Sequence, residues 1–229
     1  MTFGEKVVDF HFNLNPGFKP PSKIEFLNPF SDKETRKVFQ AFYSKFYSDN
    51  LSRIYLFGIN PGRFGAGLTG VSFTDPIRLE NECGIANHLR KVPELSSVFI
   101  YEVIKSYGGV NKFYKDVYIN AVCPVGFIKD GININYYDDK KLAKRAEMFI
   151  IDSLKKQASF GIKEKTLVCA GEGKNFEFLS SINGQTGIFE EIIPLPHPRW
   201  IMQYRRKKMS EYVERYVKVI NRIVSKNQG

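Results

Sequence analysis

The stretch GINPGRFGAGLTGVSF, residues 58–73, follows directly on the short apolar run RIYLF, residues 53–57. A β-rich run that breaks into a glycine-dense loop predicts a strand whose end opens into a turn. Asn60 stands at that mouth, between Ile59 and Pro61. Asn and Pro are common turn residues, so GINPG taken alone reads first as a plain strand ending. The glycines that follow, Gly62, Gly65, Gly67 and Gly70, change the weighing, because they permit positive φ and let a flat ligand approach the backbone.

Three similar runs recur downstream: DVYINAV (116–122), KTLVCAG (165–171) and FEEIIPL (189–195). Helical patterns lie between them, SSVFIYEVIKSY (96–107), DKKLAKRAEMFIIDSLKKQ (139–157) and GKNFEFLSSI (173–182). Strands that alternate with helices predict an α/β fold, a three-layer sandwich around a central, mostly parallel four-stranded sheet. At 229 residues one domain spanning 1–229 is expected. Residues 1–30 mix aromatics with Pro and Asn and read as an extended arm. SDKE (31–34) predicts a capping box of Ser31 with Glu34 ahead of a helix over 32–47, and a last amphipathic helix is expected over 206–225.

In a sheet of this kind ligands gather at the carboxyl ends of the strands. Asn60, Asn120, Gly171 and His197 all fall there. His197 is flanked by Pro196 and Pro198 in PLPHPRW (194–200), which stiffens its loop, whereas His11 and His88 have no comparable setting. A histidine merely satisfied at a loop surface is the plainer reading of the same residue.

Lys and Arg outnumber Asp and Glu by 34 to 24, and the excess is concentrated near the C-terminus. Residues 197–229 carry nine basic side chains against Glu211 and Glu214, seven of the formal +10. Such a face attracts polyanions by counterion release, although a solvated helix face explains the charge equally well. Cys83, Cys123 and Cys169 are odd in number and widely spaced, which argues against a disulfide framework or a metal ligand set and for a reducing cytoplasm. No apolar run approaches membrane-span length, so no membrane partner is expected. Nothing in the sequence supports an oligomer, and a monomer is expected.

With these residues in place, the chain resembles the uracil-DNA glycosylase superfamily, most closely its single-strand-selective monofunctional branch. That branch carries a G-M-N-P-G-x-F-G-x-x-x-T-G-V-x-F motif, matched by Gly58, Asn60, Pro61, Gly62, Phe64, Gly65, Thr69, Gly70, Val71 and Phe73. YINAVCPVGF (118–127) is similar to a family strand ending in Asn near Cys-Pro, with two residues between Asn120 and Cys123 where the family usually has one. The second family motif, H-P-S-P-R, is shortened here to His197-Pro198-Arg199, as in an offshoot of the branch.

The resemblance implies a DNA base-excision enzyme that removes uracil, with 5-hydroxymethyluracil as a second substrate, and leaves an abasic site. It implies Asn60 and His197 as catalytic residues. Gly58, Ile59, Pro61, Gly62, Phe64, Phe73 and Asn120 would bind the base. RWIMQYRRKK (199–208) and the turn at AGEGKN (170–175) add Lys174, Arg199, Trp200, Arg205, Arg206, Lys207 and Lys208 as DNA contacts. The DNA would be single-stranded or mismatched, and the bacterial nucleoid its setting. No cofactor or metal is implied, and with no lysine in either motif Schiff-base chemistry is not expected. Two alternatives stay open: a non-catalytic nucleic-acid-binding member of the same fold, and a glycosylase for another damaged base such as hypoxanthine or xanthine. Asp75 is the nearest carboxylate to the first motif and reads as a cap or turn residue.

Overall fold

The computed structural model of the protein describes residues 1–226. Its first thirty residues are not the extended arm that their Pro and Asn content predicts: Phe3–Phe12 forms a helix, α1. The cause is local. Thr2 Oγ1 accepts from Glu5 N–H at 3.2 Å, and Glu5 Oε2 accepts from Thr2 N–H at 2.7 Å, a reciprocal cap. Phe3, Val7 and Phe10 then share one buried stripe. Only after Phe12 does the Pro-rich chain run irregularly, before strand β1 (Ile24–Leu27) and a 3₁₀ turn at Pro29–Ser31.

Helix α2 (Lys33–Phe46) matches its predicted span but not its predicted cap. The Ser31 hydroxyl donates back to the Asn28 carbonyl at 3.1 Å, closing the 3₁₀ turn. Asp32 is left as the cap and accepts from Thr35 N–H at 2.9 Å.

In chain order there follow β2 (Arg53–Gly58), α3 (Ala66–Thr69), α4 (Pro76–Asn81), α5 (Leu95–Tyr107), α6 (Val110–Asp116) and β3 (Val117–Ala121). Next come β4 (Gly126–Lys129), β5 (Ile132–Ile134), α7 (Lys140–Ala158), β6 (Ile162–Ala170), α8 (Lys174–Thr186), β7 (Glu191–Leu195), α9 (Pro198–Tyr204) and α10 (Met209–Ser225). Residues 206–208, expected to begin the last helix, make a 3₁₀ turn before it.

The predicted sheet forms with strand order β3-β2-β6-β7, every pairing parallel. Its two central strands are apolar where both faces are covered, as a parallel sheet requires. Tyr55 and Tyr118 point to one face, where the Tyr55 hydroxyl donates to the Gln157 carbonyl of α7 at 2.6 Å and Phe3 of α1 packs edge-on against both rings. Helices α5, α9 and α10 pack on one another as a separate layer, with Phe99 against Tyr216. At the start of β2 the fully buried Arg53 guanidinium lies over the Phe3 and Tyr47 rings and pairs with Asp49 at 3.0 Å, so its charge is not left uncompensated.

A second, three-stranded antiparallel sheet, β1-β4-β5, was not foreseen. Its β4–β5 hairpin turns on Asp130 (φ 51°) and Gly131 (φ 73°), a two-residue connection of the primed kind. Among the described residues no helix is long and apolar enough to cross a membrane.

Candidate active site

Parallel pairing brings the strand ends together. Gly58 lies opposite Ala121 and Ala170 opposite Leu195, so the loops after β2, β3, β6 and β7 open at one edge of the sheet. The first two are joined beyond the strands, where Val122 N–H donates to the Gly58 carbonyl and Cys123 N–H to the Ile59 carbonyl, both at 3.0 Å. The loop after β7 is pinned from α10, because the Tyr216 hydroxyl donates to the Pro196 carbonyl at 2.6 Å.

A cavity of about 470 Å³ lies at this edge, within the usual range for a small-molecule site. Gly58, Ile59, Asn60, Pro61, Gly62, Phe73, Asn120, His197, Arg199 and Trp200 all line it. Phe64 does not: it points outward, 39% exposed, with the Arg63 guanidinium over its ring. Lys174 lines an adjoining cavity that shares Ile59, His197 and Trp200 with the first. Arg205, Arg206, Lys207 and Lys208 are exposed beyond both, with the Arg205 guanidinium 5.2 Å from the Trp200 ring centroid.

Asn60 is held by backbone on every side. Its Oδ1 accepts from Tyr136 N–H at 3.1 Å, and its Nδ2 donates to the Ile134 and Pro61 carbonyls, each at 3.3 Å. The unforeseen β5 segment is therefore the opposite wall of the site. Asn133, Ile134 and Asn135 line the cavity with it.

His197 caps α9. Its Nδ1 accepts from Arg199 N–H at 3.1 Å, so the neutral ring carries its proton on Nε2. Burial, with the Arg199 charge beside it, pushes the imidazole down to about 4. At neutral pH the ring is an uncharged N–H donor at the cavity.

Phe73 lies beside His197, their ring centroids 5.8 Å apart. The residue adopts φ 53°, a conformation costly for a side-chain-bearing residue and retained only where the surroundings impose it. Gly58 is the reason the ring fits, because a Cβ there would stand 2.6 Å from Phe73 Cζ. Gly70, at φ 74°, is hemmed in likewise: a Cβ there would stand 2.7 Å from the Phe30 ring and 2.8 Å from that of Phe39. Both glycines serve the packing of the chain on itself, and Gly58 lines the cavity as well. Gly62 also lines the cavity, and a Cβ there would meet Asn133 Nδ2 at 3.0 Å.

Two carboxylates near the cavity differ in how they are held. Asp75 is buried and fully engaged: Oδ1 accepts from the Ile77 and Arg78 N–H groups at 3.0 and 2.9 Å, and Oδ2 from the Arg78 guanidinium and Glu94 N–H at 3.0 and 3.1 Å. It is the cap of α4. Glu94 was missed in sequence, where nothing marks it, yet it lines the cavity with burial and nearby Asp75 holding its carboxyl above the usual range.

Asn120 is buried, at 3% exposure. Its Nδ2 lies 2.6 Å from Gln157 Oε1, 2.6 Å from the Tyr118 hydroxyl and 3.0 Å from His11 Nε2. Its Oδ1 lies 3.4 Å from Ser72 Oγ, which also lines the cavity. The dismissal of His11 is thereby corrected: α1 carries it, from 109 residues away, to the back of the site.

Against known proteins, a model of the uracil DNA glycosylase superfamily matches residues 44–221. The crystal structure of wild-type Pedobacter heparinus SMUG2 superposes with a TM-score of 0.94 at 43% sequence identity, covering 98% of this chain and 99% of that one. A search of curated proteins finds no match. The family match spans the sheet and every strand-end loop that builds the cavity, and the structural match extends it to almost the whole length. The chain belongs to the uracil DNA glycosylase superfamily and is a DNA glycosylase.

Proposed function

We propose that this DNA glycosylase is monofunctional and acts on uracil, hydrolysing the bond between uracil N1 and deoxyribose C1′ and leaving an abasic site. The observation that carries the reading is the convergence of Asn60, Phe73, Asn120 and His197, from the ends of three strands, on one cavity. Extruding a base from a duplex costs a few kcal/mol, least in single strands and mismatches, so those are the proposed substrates. Phe73 stacks on the extruded ring and Asn120 reads its pyrimidine edge. His197, a neutral Nε2–H donor, stabilises charge on uracil O2 as the bond breaks. Asn60 orients the attacking water.

Gly62 lines the cavity without a side chain, in keeping with 5-hydroxymethyluracil as a second substrate. Exposed Lys174, in the adjoining cavity, and the exposed run from Arg205 to Lys208, which follows Trp200 in the chain, supply phosphate contacts. The enzyme acts as a monomer, and its three unpaired cysteines suit the cytoplasm, where the nucleoid is its substrate.

The test is a panel of single-stranded, mismatched and paired oligonucleotides bearing uracil, 5-hydroxymethyluracil, hypoxanthine or xanthine, incubated without metal and then treated with alkali. Alkali-dependent cleavage at uracil is expected. Cleavage without alkali would contradict the monofunctional reading. Release of a purine lesion alone would replace uracil as the substrate, and tight, salt-dependent binding without any release would make the chain a binding module.

The stacking role has its own check. Gly58→Ala sets a methyl group 2.6 Å from Phe73 Cζ, so the ring must shift. Overpacking of this kind costs about 1–3 kcal/mol of stability, and a ring pushed out of line is expected to cost at least about tenfold in rate. Thermal melts and single-turnover rates of the variant measure the two; an unchanged rate would remove Phe73 from the base-stacking role.

A further inference from the structure

Behind the cavity wall, one end of the Asn120 carboxamide meets three groups that do not touch the cavity: His11 on α1, Tyr118 on β3 and Gln157 on α7. Two more atoms of the same cluster, His11 Nδ1 and Gln157 Nε2, are buried with no partner. Each of the three neighbours can give or take a hydrogen bond, by tautomer, hydroxyl rotation or amide rotation. The two ends of a carboxamide have the same shape, so its neighbours' protons decide which end lies inward.

With the Asn120 nitrogen inward, an NH₂ group with two protons faces three acceptors. His11 must then carry its proton on Nδ1, where it meets no acceptor, and the Gln157 NH₂ is orphaned too. Turning both amides over and moving the His11 proton to Nε2 directs three donors at one carbonyl oxygen. The two orphaned atoms become acceptors. Buried donors without partners are rarer than buried acceptors without them. The 2.6 Å separation from the Tyr118 hydroxyl is also short for N–H···O and ordinary for O–H···O. Burial pushes His11 down to about 3, so the ring is neutral and holds a single proton to place.

We propose that His11 is a specificity-determining positioning residue: its Nε2–H, with the Tyr118 hydroxyl, holds the Asn120 carbonyl inward and turns the Asn120 NH₂ toward the base. A donor placed there pairs with a carbonyl, as at uracil O4, and opposes the amino group that cytosine carries at the same edge. Two buried donors facing one another leave both unpaired, a strong ground for rejection. The inference rests on the reading of Asn120 as the residue that faces the base.

Two measurements test it. Nitrogen-15 spectra of the imidazoles in the wild-type protein are expected to show His11 as the Nε2–H tautomer; an Nδ1–H tautomer would overturn the proposal. Affinities for single-stranded oligonucleotides bearing hydrolysis-resistant 2′-fluoroarabino-uridine or -cytidine give the selectivity directly. His11→Phe is expected to lower the wild-type uracil preference at least about tenfold, and His11→Gln, which keeps an N–H donor, to restore most of it. A folded His11→Phe protein with the wild-type ratio would also overturn the proposal. Should His11→Phe fail to fold, Tyr118→Phe, which removes only the hydroxyl, is expected to shift the ratio in the same direction, and no shift would count against it. Wild-type protein that releases no uracil in the lesion panel sinks the proposed function, while the His11 tautomer is read without reference to turnover.

Discussion

His197→Ala is expected to slow uracil release from a single-stranded oligonucleotide by about 10²–10³, the usual effect of removing a preorganised donor to developing charge. Two losses are combined in that variant. One is the cap on α9, because Nδ1 accepts from Arg199 N–H, and losing a cap costs about 1 kcal/mol of stability. The other is the Nε2–H donor, whose loss costs about 2.7–4 kcal/mol in the transition state. His197→Asn separates them, since Asn caps a helix well and places its own amide differently: stability is expected to return and most of the rate is not. The pH profile adds a check. With the imidazole held down to about 4, the rate owes nothing to His197 titration between pH 5 and 8, and a step near 6.5 in the wild type that vanishes in His197→Asn would contradict the neutral-donor role. A rate for His197→Ala within threefold of wild type would remove His197 from the chemistry.

The parallel sheet was legible because its strands are short apolar runs bounded by glycine or proline, and the loops that follow them inherit their place at the strand ends. Asn60, Asn120 and His197 could be grouped on that ground alone. The site's other wall was not found, although the sequence held a signal for it: Asp130-Gly131 between FIK and INI is a strong short-range hairpin pattern. That hairpin brings Ile134 and Tyr136 to the Asn60 side chain. Composition misled at the N-terminus, where prolines after Phe12 masked the Thr2–Glu5 cap and the i, i+4, i+7 stripe of Phe3, Val7 and Phe10. His11 followed from that error, since a residue in an extended arm has no defined neighbour. A reading of the first motif's glycines as room for a ligand leaves out their packing: Gly58 lines the cavity but also clears the Phe73 ring, and Gly70 clears Phe30 and Phe39. Packing partners distant in sequence leave no local trace.

Asn60→Ala is expected to lower the single-turnover rate by about 10², the effect of losing hold on one reacting group, with a further contribution from the wall it releases. Both Nδ2 protons are committed to the Ile134 and Pro61 carbonyls, and Oδ1 already accepts from Tyr136 N–H. One lone pair on Oδ1 remains for a water. Such an amide orients and does not deprotonate, so the wild-type rate carries no Asn60 ionisation. Asn60→Asp turns this into a test with opposed slopes. The introduced carboxylate keeps the Tyr136 N–H but sets its second oxygen where Nδ2 stands, 3.3 Å from two carbonyl oxygens, and favours its protonated form. Its folded-state pKa is thereby raised above the unfolded value, so the stability it shares with the fold is present at low pH and is lost as pH rises through the folded pKa. The ionised form, in turn, is a stronger base toward the water than any amide. From pH 5 to pH 8 the Asn60→Asp protein is therefore expected to gain rate while its urea midpoint falls relative to wild type, and to exceed Asn60→Ala in rate throughout. Parallel slopes, or an Asn60→Ala rate within threefold of wild type, would move the water away from Asn60.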